Sequence, residues 1–276
     1  MKKTLYVADL DGTLLRKNQT LSSFTVETVN RLVGNSVIFS YATARSKITA
    51  QKAASGISPA VPVIVYNGAF ILENGSGRIL HGNFLGKQAT EEIFSLLRKH
   101  DVLPIVYAYI DGVEKFSYCE IGHSRGATDF LATRKGDIRE RRTDKAHLTD
   151  GDVFYFSCID EKEKLEPLYD LLKETYHCIF SCDIYSGEYW LEILHKDATK
   201  ATAVLKLREM LGCDRVVVFG DHENDLSMFQ IADECYAVAN AEASVKEAAT
   251  AVIGSNEEDG VAKWLLAHAL GENERA

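Results

Sequence analysis

Two stretches of the chain place carboxylates where they could do chemistry. In the first stretch, Asp9 and Asp11 follow the β-prone run Thr4–Ala8 and precede Gly12. Residues two apart on an extended chain point to the same side, so both carboxylates would face one ligand. Two close carboxylates repel each other unless a cation lies between them or one of them stays protonated. A hard divalent cation such as Mg2+ suits this arrangement, because it prefers oxygen ligands.

The second stretch has the same design. The apolar run Val216–Phe219 leads into Gly220 and Asp221, and Asp225 follows in what would be the first turn of a helix. Asp221 and Asp225 could therefore face one cation, the first from a strand end and the second from a helix start. Each stretch also has an ordinary structural interpretation. Asp-Gly is common turn chemistry, and an aspartate just before a helix often caps it.

Further polar residues follow predicted strands or begin a predicted helix. Thr43 and Asn67 come just after the second and third predicted strands, Arg45 follows Thr43, and Lys200 opens a helix. Hydroxyl, amide and cationic groups in such places could hold an anionic ligand and stabilise its charge. The alternatives are a helix cap for Thr43, a simple turn for Asn67 and a surface position for Lys200.

Strands and helices alternate over the first 66 residues and again from residue 198 onward. This alternation predicts an α/β domain with a Rossmann-like, doubly wound parallel sheet. In such sheets ligands bind outside the carboxyl ends of the strands, where the residues above are expected. The predicted elements are strands 4–8, 36–41, 62–66, 215–219 and 235–238, helices 21–33, 46–54, 198–211, 242–249 and 260–269, a helix from residue 224, and a hairpin over 70–81.

Between these two halves the order of elements changes. The pattern predicts helices 87–100 and 161–175 and strands 103–109, 113–119, 153–159, 177–183 and 188–194. Hairpins with helices grouped between them are typical of an α+β unit. We therefore assign residues 1–81 and 188–276 to the core and residues 82–187 to an inserted α+β cap domain. Because the chain leaves after the strand bearing Asn67 and returns before Lys200, we expect the insert to cover the strand ends as a movable lid.

Composition limits the possible functions. The chain has 276 residues, of which 46% are hydrophobic and 26% charged, with a net charge of −9. These values are typical of a soluble globular protein, and the negative charge argues against nucleic-acid binding. No segment is apolar enough for a membrane span or a signal peptide. Six cysteines without a Cys-x-x-Cys pair favour reduced thiols in the cytoplasm. The pattern does not indicate an oligomeric state.

The two carboxylate stretches resemble motifs of a known family. The string from Asp9 to Leu14, Asp-Leu-Asp-Gly-Thr-Leu, resembles the first motif of the haloacid dehalogenase (HAD) superfamily, and Gly-Asp-x-x-Asn-Asp at 220–225 resembles its fourth. With the insert after the third strand, the chain is similar to the Cof-type phosphatases with a large α/β cap, subclass IIB. That group commonly has glycine where Ala44 and Ala201 stand here. Neither replacement removes a catalytic side chain.

The resemblance implies an Mg2+-dependent phosphatase that hydrolyses phosphate monoesters of small metabolites, such as sugar phosphates, through an aspartyl-phosphate. It implies that Asp9 is the nucleophile and Asp11 the general acid and base. It assigns Mg2+ to Asp9, the backbone carbonyl of Asp11, and Asp221, with Asp225 in support. It leaves phosphate and substrate binding to Thr43, Arg45, Asn67, Lys200 and Asn224. Two alternatives stay open: a phosphomutase of the same fold and a catalytically silent HAD-like binding protein.

Overall fold

The computed structural model describes residues 3–58, 60, 62–182 and 187–269. The chain forms two compact units. The first comprises Met1–Gly82 and Ala198–Ala276, and the second comprises Asn83–Asp197. The first unit is therefore built from both ends of the chain, and the second is a continuous insert.

The first unit contains a parallel sheet with helices between its strands. Its amino-terminal part consists of β1 (Thr4–Ala8), α1 (Ser23–Gly34), β2 (Ile38–Tyr41), α2 (Lys47–Ala53), β3 (Val63–Val65), β4 (Phe70–Leu72) and β5 (Ile79–Gly82). The insert then adds α3 (Lys87–Lys99), β6 (Ile105–Ile110), β7 (Val113–Tyr118), α4 (Arg125–Thr133), β8 (Glu140–Arg142), β9 (Asp152–Asp160), α5 (Lys162–Leu172), β10 (His177–Cys182) and β11 (Tyr189–Leu194). The carboxyl-terminal part of the first unit consists of α6 (Lys200–Leu211), β12 (Arg215–Gly220), α7 (Leu226–Phe229), β13 (Glu234–Val238), α8 (Ala243–Ala248), β14 (Ala251–Ile253) and α9 (Gly260–His268).

The core sheet has the strand order β14-β13-β12-β1-β2, and all its pairings are parallel. The prediction of a doubly wound parallel sheet is confirmed. Its central strand β12 is apolar on both faces: Val216, Val217, Val218 and Phe219 are each at most 1% exposed. This burial explains why this strand is a continuous hydrophobic run without alternation. Because every strand points the same way, their carboxyl ends meet at one edge of the sheet.

The third strand differs from the prediction. β3 touches the core sheet through a single parallel bridge between Ala42 and Ile64. Its ladder is instead antiparallel, with β4, which pairs in turn with β5. The sequence shows three apolar strands in a row, but it does not show that the hairpin captures the third strand's hydrogen bonds.

The insert is a six-stranded sheet in the order β10-β11-β9-β6-β7-β8. One face packs against α3 and α5, with Ile93, Leu97, Leu165 and Leu168 fully buried in its core. The opposite face carries α4, whose Phe130 stacks edge-on against Trp190 with ring centroids 5.0 Å apart. The insert is thus an α+β unit, as the order of elements predicts.

The predicted boundary at residues 187 and 188 is wrong. β11 pairs antiparallel with both β9 and β10, so residues 189–194 belong to the insert's sheet, and the chain returns to the core at Ala198. The error arises because a strand at the end of an insert looks the same in sequence as a strand of the core. Position 183, the end of a predicted strand, lies outside the described residues.

Three short elements were not predicted. α4 and β8 lie in the polar stretch between residues 120 and 150, and β14 is an edge strand of three residues. All three elements are shorter than the window of about 11 residues over which periodicity is read, so the pattern could not establish them.

Cys119, Cys158, Cys178, Cys213 and Cys235 are free thiols. Across the described ranges, no helix is both long enough and apolar enough to cross a membrane. The cytoplasmic location stays a prediction.

Candidate active site

The loop after β1 carries the first two predicted site residues. Leu10–Leu14 forms one wide helical turn that is broken by non-helical backbone at Asp11 and by Gly12 with φ +78°. A Cβ atom on Gly12 would lie 2.1 Å from Oδ2 of Asp221. Both the positive φ and this close approach require glycine. The glycine therefore allows the first carboxylate stretch to pack directly on the second.

Lys200 lies between two of the predicted carboxylates. Its Nζ is 2.6 Å from Oδ1 of Asp9 and 2.7 Å from Oδ1 of Asp225. The side chain of Lys200 is only 1% exposed, so the surface alternative is wrong. Although burial lowers the pKa of Lys200, its two carboxylate neighbours raise it above the ordinary value. The ammonium ion is thus a fixed positive charge inside the site.

The start of α6 fixes the position of this lysine. Thr199 caps the helix, with its hydroxyl accepting from the Thr202 backbone N–H while Thr202 bonds back to the Thr199 backbone. Gly68, after β3, has φ +101°, and a Cβ there would lie 2.1 Å from the Thr199 carbonyl oxygen. Close packing of the β3 end on the helix start therefore places Lys200 beside the strand ends.

The second carboxylate stretch has a network of its own. Oδ2 of Asp225 accepts from the backbone N–H groups of Asp221 at 2.9 Å and His222 at 3.3 Å. The Thr13 hydroxyl donates to Oδ1 of Asp221 at 2.8 Å, which ties this stretch to the first. The short helical turn Glu223–Asp225 begins after His222, so Asp221 is not its cap. The carboxylate of Asp221 is left to face the site.

Asp9, Asp221 and Asp225 form a cluster that could hold a metal ion. One carboxylate oxygen from each lies within 4.8 Å of the others. Burial raises the pKa of Asp9 well above its ordinary value, with Lys200 opposing the shift and Asp225 adding to it. Burial also raises the pKa of Asp221 to about 6. Two buried acidic groups and one half-buried one, with one ammonium ion among them, carry excess negative charge, and an oxygen-preferring divalent cation fits that donor set.

The sequence predicts that the carboxylates of Asp9 and Asp11 face one ligand, but the structure places the Asp11 carboxylate apart from that of Asp9. It lies outside the three-carboxylate cluster and pairs with Arg45 in a bidentate contact, with Nε to Oδ2 at 2.7 Å and Nη2 to Oδ1 at 2.5 Å. Arg45 Nη2 also donates to Gln19 Oε1 at 3.1 Å. The Asp11 side chain is 49% exposed, so it can still reach a ligand. Metal binding through its backbone carbonyl stays a prediction.

Thr43 and Asn67 lie together next to this pair. Thr43 is fully buried, its hydroxyl accepts from the Arg45 backbone N–H at 3.1 Å, and its carbonyl accepts from the Asn67 N–H at 3.0 Å. Ser46, rather than Thr43, caps α2. Asn67 has φ +52° and its buried Oδ1 has no hydrogen-bond partner. A buried acceptor without a partner is costly, so a ligand or water would be favoured there.

The remaining predicted residue, Asn224, is exposed on the turn between Asp221 and Asp225. Ala44 and Ala201 do not have the positive φ values that would demand glycine. The departures from the common pattern therefore cause no backbone strain.

Two further residues contact the site, and neither has a role assigned from the sequence. Thr13 bonds to Asp221, and Asn240 donates from Nδ2 to the Gly12 carbonyl at 2.7 Å. Asn240 comes two residues after β13 ends at Val238. The rule that drew attention to Thr43 and Asn67, a polar side chain just after a buried strand, could have found it.

Comparison with known proteins places this geometry in a family. The family model of the haloacid dehalogenase-like hydrolases matches residues 6–265. The chain is 25% identical over 272 residues to the 5-amino-6-(5-phospho-D-ribitylamino)uracil phosphatase YitU of Bacillus subtilis, covering 96% of this chain and 97% of that one. It is 24% identical over 278 residues to the pyridoxal phosphate phosphatase YbhA of Escherichia coli, covering 98% and 100%.

A solved structure supports the same fold. The HAD subclass IIB sugar phosphatase BT4131 superimposes with a TM-score of 0.72 at 19% identity, covering 97% of this chain and 99% of that chain. The chain therefore belongs to the haloacid dehalogenase-like hydrolases, in the Cof-type group. It is a phosphatase of that superfamily that acts on small phosphorylated substrates.

Proposed function

We propose that this protein is an Mg2+-dependent phosphatase that hydrolyses phosphate monoesters of small metabolites through an aspartyl-phosphate at Asp9. The observation that carries the proposal is the buried contact of Asp9 with Lys200, beside Asp221 and Asp225. A carboxylate normally repels a phosphate ester. Here a fixed ammonium ion and a fitting cation site lower that repulsion.

Asp9 would act as the nucleophile. One of its oxygens binds Lys200, and the other would attack phosphorus, forming an acyl phosphate as the ester oxygen leaves. Water would then attack the same phosphorus, releasing inorganic phosphate and restoring the carboxylate. This division replaces one difficult displacement by two easier ones.

Asp11 would handle the protons. It would donate a proton to the leaving alkoxide and then take one from the attacking water. Its exposure allows contact with both, while the Arg45 contact holds its orientation. For the first step Asp11 must carry a proton, so Arg45 must release at least one carboxylate oxygen when the substrate enters.

Mg2+ would be held by Asp9, Asp221 and the Asp11 backbone carbonyl, with Asp225 in support. When bound, this ion supplies a positive charge that neutralises the nucleophile and the phosphoryl oxygens. Lys200, Thr43 and Asn224 would hold the phosphoryl group. Asn67 would offer its buried amide oxygen to a donor on the substrate or to water.

We propose that the alcohol portion of the substrate is a small sugar or a heterocyclic alcohol. The relatives' names cover a phosphorylated ribitylaminouracil and pyridoxal phosphate, and the superimposed structure is named a sugar phosphatase. Small sugar phosphates and phosphorylated heterocycles are therefore the first substrates to test. A panel of such esters, with phosphate release measured for each, would identify the class.

The nucleophile is tested by Asp9→Asn. The amide is nearly isosteric but cannot attack as a carboxylate, so turnover should fall below about a tenth of the wild-type rate. A matched control is Asp214→Asn, an exposed aspartate just before β12, which should retain full activity. Acid-quenched wild-type enzyme should show one added phosphoryl group on the peptide that contains Asp9. Near-normal turnover in Asp9→Asn would refute the covalent mechanism.

The phosphomutase alternative differs in the acceptor of the phosphoryl group. A mutase would pass it to a sugar hydroxyl, whereas the proposed enzyme passes it to water. Product analysis with and without a sugar bisphosphate decides between them.

A further inference from the structure

Two asparagines hold the loop that carries Asp9 and Asp11. Asn240 donates from Nδ2 to the Gly12 carbonyl at 2.7 Å, and Asn256 donates from Nδ2 to the Leu15 carbonyl at 2.9 Å. The two asparagines are themselves joined, because Asn240 Oδ1 accepts from the Asn256 backbone N–H at 3.0 Å. This asparagine relay therefore contacts the loop near its middle and just after its end.

The loop is irregular inside. The Leu15 N–H donates to the Leu10 carbonyl at 2.8 Å and closes the wide turn. Asp11 and Gly12 are both non-helical inside that turn. The peptide group after Gly12 must point its carbonyl in one direction for the Thr13 hydroxyl to reach Asp221 and for the Asp11 side chain to reach Arg45. Asn240 contacts that carbonyl directly.

The two asparagines differ in burial. Asn256 is 4% exposed, whereas Asn240 is exposed. A buried amide contributes to stability through packing and hydrogen bonding. An exposed one contributes little to folding, so its contact with the Gly12 carbonyl matters mainly for the position of the loop.

We propose that Asn240 is a positioning residue for catalysis, which fixes the Gly12 peptide and so sets Asp9 and Asp11 relative to Asp221, with Asn256 as its support. This inference rests on the proposed function for its catalytic consequence. A displacement of about 1 Å in a reacting group can cost on the order of a hundredfold in rate. Asn240 touches neither the substrate nor the cation in this scheme, so its loss acts on kcat rather than on KM.

The experiment compares Asn240→Ala and Asn240→Asp with a matched control. The control is Asn35→Ala, because exposed Asn35 also donates its side-chain amide to a backbone carbonyl, that of Arg31 at 2.8 Å. We expect kcat for a small phosphate ester to fall about 10- to 100-fold in Asn240→Ala. In Asn240→Asp, kcat should fall at least as far, because this variant places a carboxylate oxygen against the Gly12 carbonyl. KM and the melting temperature should stay close to wild type in both, and Asn35→Ala should keep full kcat.

A second measurement does not depend on turnover. Amide hydrogen exchange at Leu15, whose N–H closes the loop, should become about tenfold faster in Asn240→Ala and stay unchanged in Asn35→Ala. A kcat within twofold of wild type in both Asn240 variants, or unchanged exchange at Leu15, would overturn the proposal. If wild-type protein turned over no ester, the proposed function would fail, and the exchange result would still decide whether Asn240 holds the loop.

Discussion

Replacing Lys200 with methionine removes the only cation that directly contacts Asp9 and Asp225 in the described part of the site. Methionine keeps most of the side-chain volume, so the change tests charge more than packing. In metal-free protein the variant leaves two carboxylates facing each other, one 7% exposed and the other fully buried. We expect a large loss of stability.

The magnitude follows from the two contacts of 2.6 and 2.7 Å. At an effective dielectric constant of about 20, each ammonium–carboxylate pair attracts by about 6 kcal/mol, and desolvation of the charges offsets much of this. Removing one partner of such a buried group costs about 3–5 kcal/mol, because the remaining charges are left without compensation. That is a large part of the stability of an ordinary domain.

The loss should depend on pH in a defined direction. Burial already raises the pKa of Asp9, and without Lys200 the pKa rises further. An acidic group whose folded pKa is raised destabilises the fold when it is ionised, so its cost is full above the folded pKa and falls to zero as the pH drops to the unfolded pKa. The destabilisation should therefore be greatest near pH 8 and smaller near pH 5.

The assay is urea denaturation of metal-free wild type and variant at both pH values. Lys206→Met is the matched control, since Lys206 lies on the same helix and forms an exposed pair with Glu209 at 2.8 Å. Exposed pairs contribute about 0–1 kcal/mol. The electrostatic account of the site would be refuted if Lys200→Met lowered the free energy of unfolding no more than Lys206→Met does. It would also be refuted if Lys200→Met lowered that free energy more at pH 5 than at pH 8.

Three further predictions concern the metal, the glycine and the arginine. Chelation should stop turnover, and added Mg2+ should restore it. Burial raises the pKa of Asp221 to about 6, so protons compete with Mg2+ below that pH. The Mg2+ concentration needed to raise the melting temperature should therefore increase about tenfold for each pH unit below 6. Full activity in excess chelator, or a Mg2+ requirement independent of pH, would contradict this. Gly12→Ala should lower kcat/KM by at least about tenfold, because the new Cβ would lie 2.1 Å from Asp221 Oδ2. A variant that kept half of the wild-type kcat/KM would contradict this prediction. Arg45→Gln should slow hydrolysis of an alkyl phosphate more than hydrolysis of an activated aryl phosphate, because only the alkyl leaving oxygen needs a proton. If acid-quench kinetics showed the same loss of rate in the first step for both esters, Arg45 would not act through Asp11.

The sequence predicts those residues of the site that directly follow a strand in the chain. Asp9, Asp221 and Thr43 follow buried strands of the parallel sheet, whose order brings those ends together, and Asn67 follows β3, which meets that sheet through one parallel bridge. A local sequence pattern is enough to predict these residues, because ligands of an open α/β sheet bind at the carboxyl ends of its strands.

The contacts between distant side chains could not be read in the same way. Nothing near Asp11 in sequence shows that Arg45 takes both of its oxygens, and nothing near Lys200 shows that its ammonium group lies between two carboxylates. Those facts depend on how β3 packs against α6 and how β12 lies beside β1. For the same reason the insert's last strand was assigned to the wrong unit.

The order of strands in the core sheet has a consequence for how the protein is made. β1 is synthesised long before β12, one of its neighbours in the sheet, and the lysine that neutralises Asp9 lies 191 residues further along the chain. Non-local pairings of this kind raise the contact order and slow folding, while the continuous insert can fold as soon as it is synthesised. During synthesis β1 must therefore wait for β12 before that side of the strand is paired. The active site cannot form before β12 emerges, and a nascent chain that stops short of β12 is exposed to aggregation rather than capable of partial function.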